Sequence, residues 1–171
     1  CLARSQEVQM ATSEELAAVS RPATQTVGNV GLYYVCYRLS RAGWNVMPTA
    51  RNARGIDLLI YSADAKRTHT VQVKALSKRA PVPLGTHLGN LFGDFFIVCS
   101  KVATDAPTCY VLTPSEVSTL AHRGEKDGRI SYWLQPKQYE AEAFHDAWHR
   151  IGQSLVFGRA TCSSATFACT G

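Results

Sequence analysis

"DFFIVCS", residues 94–100, is an unbroken apolar run of strand length. A strand that is apolar on both sides has to be covered on both sides, because alternate side chains point to opposite faces of a sheet. The chain therefore needs a layered architecture, with this run near the middle of a sheet. Its 171 residues, 46% of them hydrophobic and 18% charged, are enough for one globular domain with a full core.

The elements around this run are consistent with such a layering. In "TVGNVGLYYVCYRLSRAG" (26–43), Val27, Val30, Gly31, Tyr34, Val35 and Leu39 form the stripe of an amphipathic helix. Thr26 is the expected cap, Arg38 and Arg41 suit the negative end, and Gly43 supplies the stop. Gly28 and Gly31 each weaken a helix by about 1 kcal/mol relative to alanine, which suggests close approach to another backbone. Strands are expected at "WNVMP" (44–48), "IDLLIYSA" (56–63), "HTVQVKAL" (69–76) and "CYVLT" (109–113), the second and third joined as a hairpin through "DAKRT". "PSEVSTLAHRG" (114–124) reads as a short helix with Pro114 in its first turn, and "ISYWLQ" (130–135) as an edge strand. "KQYEAEAFHDAWHRIG" (137–152) reads as a closing helix with Tyr139, Phe144, Trp148 and Ile151 inward.

This gives an α/β sandwich occupying residues 24–157 as a single domain. Residues 1–23 are read as an N-terminal extension with a short helix capped by Ser13. Met10 is its expected natural start, with the residues before it foreign to the protein. Residues 158–171, small and polar, are read as a tail. No apolar run reaches the roughly 18–20 residues of a membrane helix, and no signal-peptide layout is visible, so a cytoplasmic protein is expected. The six cysteines include no C-x-x-C pair, and Cys36, Cys99 and Cys109 fall in core patterns. All six are read as reduced.

Charge is unevenly placed. Residues 38–79 carry nine basic residues against two acidic ones, Asp57 and Asp64, a balance of +7 in a chain whose total is +5. A basic segment of this kind suits a polyanionic partner such as DNA, although a solubilising surface would look the same. Within it, Asp57 opens one strand, and Gln72 and Lys74 share one face of the next. A solvated hairpin would accommodate these residues. So would a phosphodiester-cleaving site, which needs a cation held on one or two carboxylates and a positive group beside the attacked phosphate.

The order of "RAGWNV", "GIDLLIY", "VQVKAL" and "DFFIV" resembles the PD-(D/E)XK nuclease superfamily, which includes restriction endonucleases and Holliday-junction resolvases. The resemblance covers roughly residues 27–112. It implies a restriction-endonuclease-like α/β fold, a central mixed sheet flanked by helices, and metal-dependent cleavage of DNA with Mg2+ or Mn2+. It makes Asp57 and Gln72 metal-binding residues, with Gln72 where glutamate is commoner, Lys74 the catalytic lysine and the Val73 carbonyl a further ligand. Many members carry a glutamate after a glycine on the first helix; here Leu32 follows Gly31. A catalytically silent nucleic-acid-binding module and a protein-interaction scaffold are the competing readings. A homodimer, the usual form of nucleases that cut both strands, stays open.

Around this set, Ser77, Lys78 and Arg79, together with Arg51 and Arg54, are candidate phosphate contacts, each equally readable as solvated loop. Asp94 is a candidate further ligand, though a turn role suits it better. His145 and His149 have the i, i+4 spacing of a helical metal pair, though surface or partial-core histidines fit them better. "GTHLGNLFG" (85–93) lacks the lysine of a phosphate loop and reads as a connection long enough to lie over a site.

Overall fold

The computed structural model describes residues 23–49 and 55–152. The expected helix at Ser13, Arg51, Arg54, Cys1, Cys162, Cys169 and the tail lie outside the described residues.

Helix α1 (Thr24–Arg41) is followed by β1 (Asn45–Pro48), β2 (Leu58–Tyr61) and β3 (Thr68–Ala75). Next come β4 (Val82–Gly85), a 3-10 turn (Leu88–Asn90), β5 (Phe95–Ser100) and β6 (Thr108–Leu112). The remainder consists of α2 (Pro114–Leu120), β7 (His122–Lys126), β8 (Arg129–Leu134), the helical turn α3 (Pro136–Tyr139) and a 3-10 turn (Trp148–Ile151). Five strands form a mixed sheet in the order β1-β2-β3-β5-β6, antiparallel throughout except for the parallel pair β3–β5. The chain between those parallel strands passes through β4, which joins β8 and β7 in a second, antiparallel sheet of order β4-β8-β7.

The apolar run Phe95–Ser100 is a strand inside the sheet. Ile97 and Cys99 point into one core with Val35, Leu39, Leu58, Ile60 and Val71; Phe96 and Val98 point into another with Val82, Leu112, Val117, Leu134 and Tyr139. Helix α1 covers the first face, and the small sheet with α2 covers the second. Gly31 explains how close α1 comes, since a Cβ there would lie 2.4 Å from the Ala75 Cβ of β3. Arg38 and Arg41 lie in the last turn of α1 as expected, and Gly43 takes φ +88° just beyond it. The helix starts at Thr24, so Thr26 is inside it and is not its cap. Cys36, Cys99 and Cys109 are free thiols, and a hydrogen bond with the facing Cys99, together with burial, raises the Cys109 pKa.

Three expectations are corrected. The helix begun at Pro114 ends at Leu120, and residues 122–126 form a strand. Asp127 and Gly128, both at positive φ, make the two-residue turn of a β7–β8 hairpin. Gly124 lies against Trp133, where a Cβ would come within 2.4 Å of the indole. Strand β8 is therefore the central strand of its sheet, not an edge. The stretch 137–152 is not one helix, because the chain turns between Glu140 and Ala147 so that the Asp146 N–H donates to the Cys109 carbonyl. Tyr139 and Ile151 are buried nonetheless.

Candidate active site

Where β2 ends short of β3, the sheet opens. Asp57 lies one residue before β2, and its backbone is tied on both sides. Its N–H donates to the Val71 carbonyl at 2.9 Å, and its carbonyl accepts the Thr49 N–H at 2.9 Å. Its Oδ2 accepts the Val73 N–H at 2.7 Å, which pins the carboxylate at the end of the ladder in the plane of the sheet. In an extended strand the N–H and C=O of one residue point the same way, so the Val73 carbonyl faces this same opening. The β2–β3 register, Leu58 opposite Val71 and Leu59 opposite Thr70, places Asp57 across from Gln72 when extended by one residue.

Gln72 sits on the second-core side, opposite Phe96 of β5. It is 6% exposed, and its Oε1 is buried without a hydrogen-bond partner among the described residues. An unmet buried amide oxygen costs about 1–3 kcal/mol, so its retention needs a reason. Gly55 makes room for it: at φ +81°, a Cβ there would lie 3.2 Å from Gln72 Nε2 and 3.1 Å from the Phe92 ring. Lys74, two residues along the same face, is half-buried and has no ion pair among the described residues.

Asp57 and Val73 line a cleft of about 560 Å³ between α1 and the sheet, with Gln25, Gly28 and Leu32 on its helical wall. Among the described residues Asp57 is the only carboxylate lining it, and Leu32 occupies the wall where a helical acid would face it. Among the described residues no group of three or more His, Cys, Asp or Glu side chains could hold a metal. Among the oxygen donors, the Asp57 carboxylate and Val73 line the cleft, while Gln72, whose Oε1 is orphaned, does not line it and lies against Gly55, which does. Such a set fits a hard divalent cation such as Mg2+ or Mn2+, with one anionic ligand and room for water or phosphate oxygens.

The surrounding candidates are distributed unevenly. Ser77, Lys78 and Arg79 form an exposed loop after β3, and the Arg79 Nε donates to both carboxylate oxygens of Glu140 at 2.9 and 2.8 Å. Asp94 accepts from the Thr70 N–H at 2.8 Å and the Thr70 hydroxyl at 2.9 Å, so it fastens the start of β5 to β3. His145 and His149 are not on one helix, and the spacing that paired them has no structural basis; His145 packs edgewise on Tyr110. The 85–93 connection reaches the site, with Asn90 and Phe92 beside Gly55. Phe92, Thr49 and Gln25 carried no sequence signal of their own, while the helix-weakening Gly28 did.

No known protein-family profile and no curated protein sequence matches the chain. Similarity is found among solved structures. A bacterial homing endonuclease, I-Ssp6803I, superposes with a TM-score of 0.52 at 18% identity, covering 75% of this chain and 93% of the endonuclease. Hjc, a Holliday junction resolvase of the archaeal hyperthermophile Archaeoglobus fulgidus, gives a TM-score of 0.43 at 16% identity, covering 63% of this chain and 90% of the resolvase. The likeness is one of fold: a restriction-endonuclease-like mixed sheet with helices packed on it.

Proposed function

We propose that this protein is a divalent-metal-dependent endonuclease that hydrolyses phosphodiester bonds in DNA. The observation that supports it best is the end of the β2–β3 ladder, where a pinned carboxylate lines an open cleft and the residue across from it in the register, Gln72, keeps a buried amide oxygen without a partner among the described residues. The fold shared with a homing endonuclease is consistent with that chemistry.

In this reading Asp57, Gln72 and the Val73 carbonyl hold Mg2+ or Mn2+, which when bound supplies positive charge and a more acidic water. Val73 N–H orients Asp57, so that its second carboxylate oxygen is presented outward. The Lys74 ammonium stabilises the negative charge that grows on the phosphoryl oxygens as water adds. Lys78, exposed beyond β3, contributes to holding the DNA backbone, with Ser77 and Arg79 beside it; Arg79 does so while paired to Glu140. Arg51 and Arg54 belong to the same basic segment.

Leu32 and the neutral Gln72 favour a second reading, a binding module on the same fold that no longer cuts. Plasmid nicking over a Mg2+ and Mn2+ titration separates the two. The parent cuts, better in Mn2+; Asp57→Ala abolishes cutting; and Gln72→Glu extends activity to lower metal. A parent inactive with every divalent metal, and not rescued by Gln72→Glu, leaves the binding module.

A further inference from the structure

A second cleft, of about 470 Å³, lies where the loop after β3 meets α3 and the start of β7. Arg79, His122, Gln135, Pro136, Lys137 and Gln138 line it, and among the described residues no carboxylate does. The carboxamide oxygens of its wall are already engaged. Gln138 Oε1 accepts the Gln135 N–H at 2.9 Å, and the Gln135 side chain accepts the Gln138 N–H in return. Each carboxamide is left with its NH2 group, which has no hydrogen-bond partner among the described residues. The Lys137 ammonium is exposed, with no ion pair among the described residues. Arg79 gives its Nε to Glu140, and its two terminal nitrogens make no hydrogen bond among the described residues. His122, whose ring packs on Trp133 with centroids 4.7 Å apart, adds a nitrogen that donates.

We propose that this cleft holds a backbone phosphate of the bound DNA, a few nucleotides from the one attacked, so that α3 and the second sheet share in binding what the first sheet cuts. The proposal rests on the DNA reading above and extends that partner's path beyond the first cleft. A wall that offers donors and positive charge suits a ligand that accepts hydrogen bonds and is anionic, as a phosphodiester is. Glu140 lowers the positive charge at Arg79 without entering the lining. The side chains carry the site, not the start of α3: Pro136 has no N–H, and the Gln138 N–H is used on Gln135. The wall is also held in place. The Tyr139 hydroxyl donates to the Ala80 carbonyl at 2.9 Å, beside the Arg79–Glu140 pair, so α3 is fastened to the loop that leaves β3. Arg79 is five residues beyond Lys74, so their Cα atoms are at most about 18 Å apart, a span of about five phosphates along one strand. Inorganic phosphate offers the same oxygens, and the test separates the two.

Affinity for a short fluorescein-labelled DNA duplex, by anisotropy in Ca2+ over a salt series, is compared for the parent, Lys137→Gln, Gln138→Glu and Lys66→Gln, beside thermal melting. Lys66→Gln removes the same charge from the exposed turn at the far end of the β2–β3 hairpin from Asp57. Gln138→Glu keeps an acceptor for the Gln135 N–H and replaces a donor in the cleft by an anion. Lys137→Gln should weaken binding about three- to fivefold and flatten the plot of log affinity against log salt by about 0.9. Gln138→Glu should weaken binding about tenfold. Lys66→Gln should leave the slope as it is, and all three variants should melt within about 2 °C of the parent. Should Gln138→Glu melt lower, Lys137→Gln, which breaks no contact among the described residues, decides alone. A parental slope in Lys137→Gln, or an equal flattening in Lys66→Gln, overturns the phosphate site while the DNA reading stands. Inorganic phosphate is titrated calorimetrically into the parent and Gln138→Glu. Binding that Gln138→Glu abolishes, with the DNA slope of Lys137→Gln unchanged, gives the cleft to a free phosphate and overturns the DNA assignment. A parent that fails to bind the duplex overturns the DNA reading, and this inference with it.

Discussion

The two ends of the five-stranded sheet treat their polar groups in opposite ways. Beyond β6, the half-buried charges of Glu116 and Arg150 meet each other. Arg150 pairs with Glu116 and donates to the Val111 carbonyl at 2.8 Å. Glu116 also accepts the Thr113 N–H at 2.7 Å and closes the capping box of α2. At the open end of β2 and β3, among the described residues, one carboxylate is half-satisfied, one buried amide oxygen has no partner, one lysine has no counter-ion, and one helical glycine has nothing beside it. Both ends belong to the same well-packed domain, so poor packing does not explain the second. Where polar groups serve only the fold they are paired within the chain; where they are left unmet, something outside the chain is expected to meet them. The other buried unpartnered atom, Ser100 Oγ, is a rotatable hydroxyl beside Tyr139 and needs no such account.

The largest effect should be on activity at the open end. Asp57→Asn keeps the shape and removes the only charged donor, so cleavage should fall by about 10³-fold or more while stability changes by less than about 1 kcal/mol. Activity assays paired with urea unfolding check this, and a stability loss as large as the activity loss would make Asp57 structural.

At the closed end the effects should run the other way. Arg150→Met leaves Glu116 without its cation and the Val111 carbonyl without its donor, and should cost about 2–3 kcal/mol in urea unfolding. DNA affinity should stay within about twofold when corrected for the folded fraction. A large affinity loss in the fully folded variant would move the interface to this end.

Acid should weaken the closed end too. Burial works to raise the Glu116 pKa, but hydrogen bonds from Arg150 and Thr113 outweigh it and hold it below the ordinary 4.5. A carboxyl with a depressed folded pKa stabilises the fold fully above its unfolded value, and that contribution is lost as pH falls through the folded value. Glu116→Gln should therefore lower stability near neutrality and flatten its decline below about pH 4.5. Chemical denaturation across that range reads the slope, and a slope equal to the parent's would remove Glu116 as a source.

How much of this was legible in the sequence follows the same division. Helix α1 and strands β2, β3, β5 and β6 announce themselves because each buries a regular set of apolar residues, and Asp57, Gln72 and Lys74 are placed by that framework. The second sheet was hidden. Strand β4 contains Pro83 and reads as a loop, and β7, "HRGEK", is largely exposed and so shows no apolar alternation. The Asp127–Gly128 turn was the available clue. Tyr139, Phe144, Trp148 and Ile151 mimic a helical stripe, yet the chain bends between them to reach Cys109. The roles of Phe92 and Thr49 arise only from tertiary contact, which no local pattern encodes.

The smallest expected effect is the most revealing about Gln72. Gln72→Met replaces an unmet amide by an apolar group of similar length, and should raise stability by about 0.5–1 kcal/mol while lowering activity. A destabilised variant would mean that the amide already has a partner.

Binding of Mn2+ itself, followed by electron paramagnetic resonance in the presence of a short DNA duplex, tests the central assignment most directly. The parent should bind weakly, Gln72→Glu about tenfold more tightly, and Asp57→Ala not measurably. Equal affinity in all three proteins would mean that the cation, if it binds, binds elsewhere, and that the open end of the sheet is not its site.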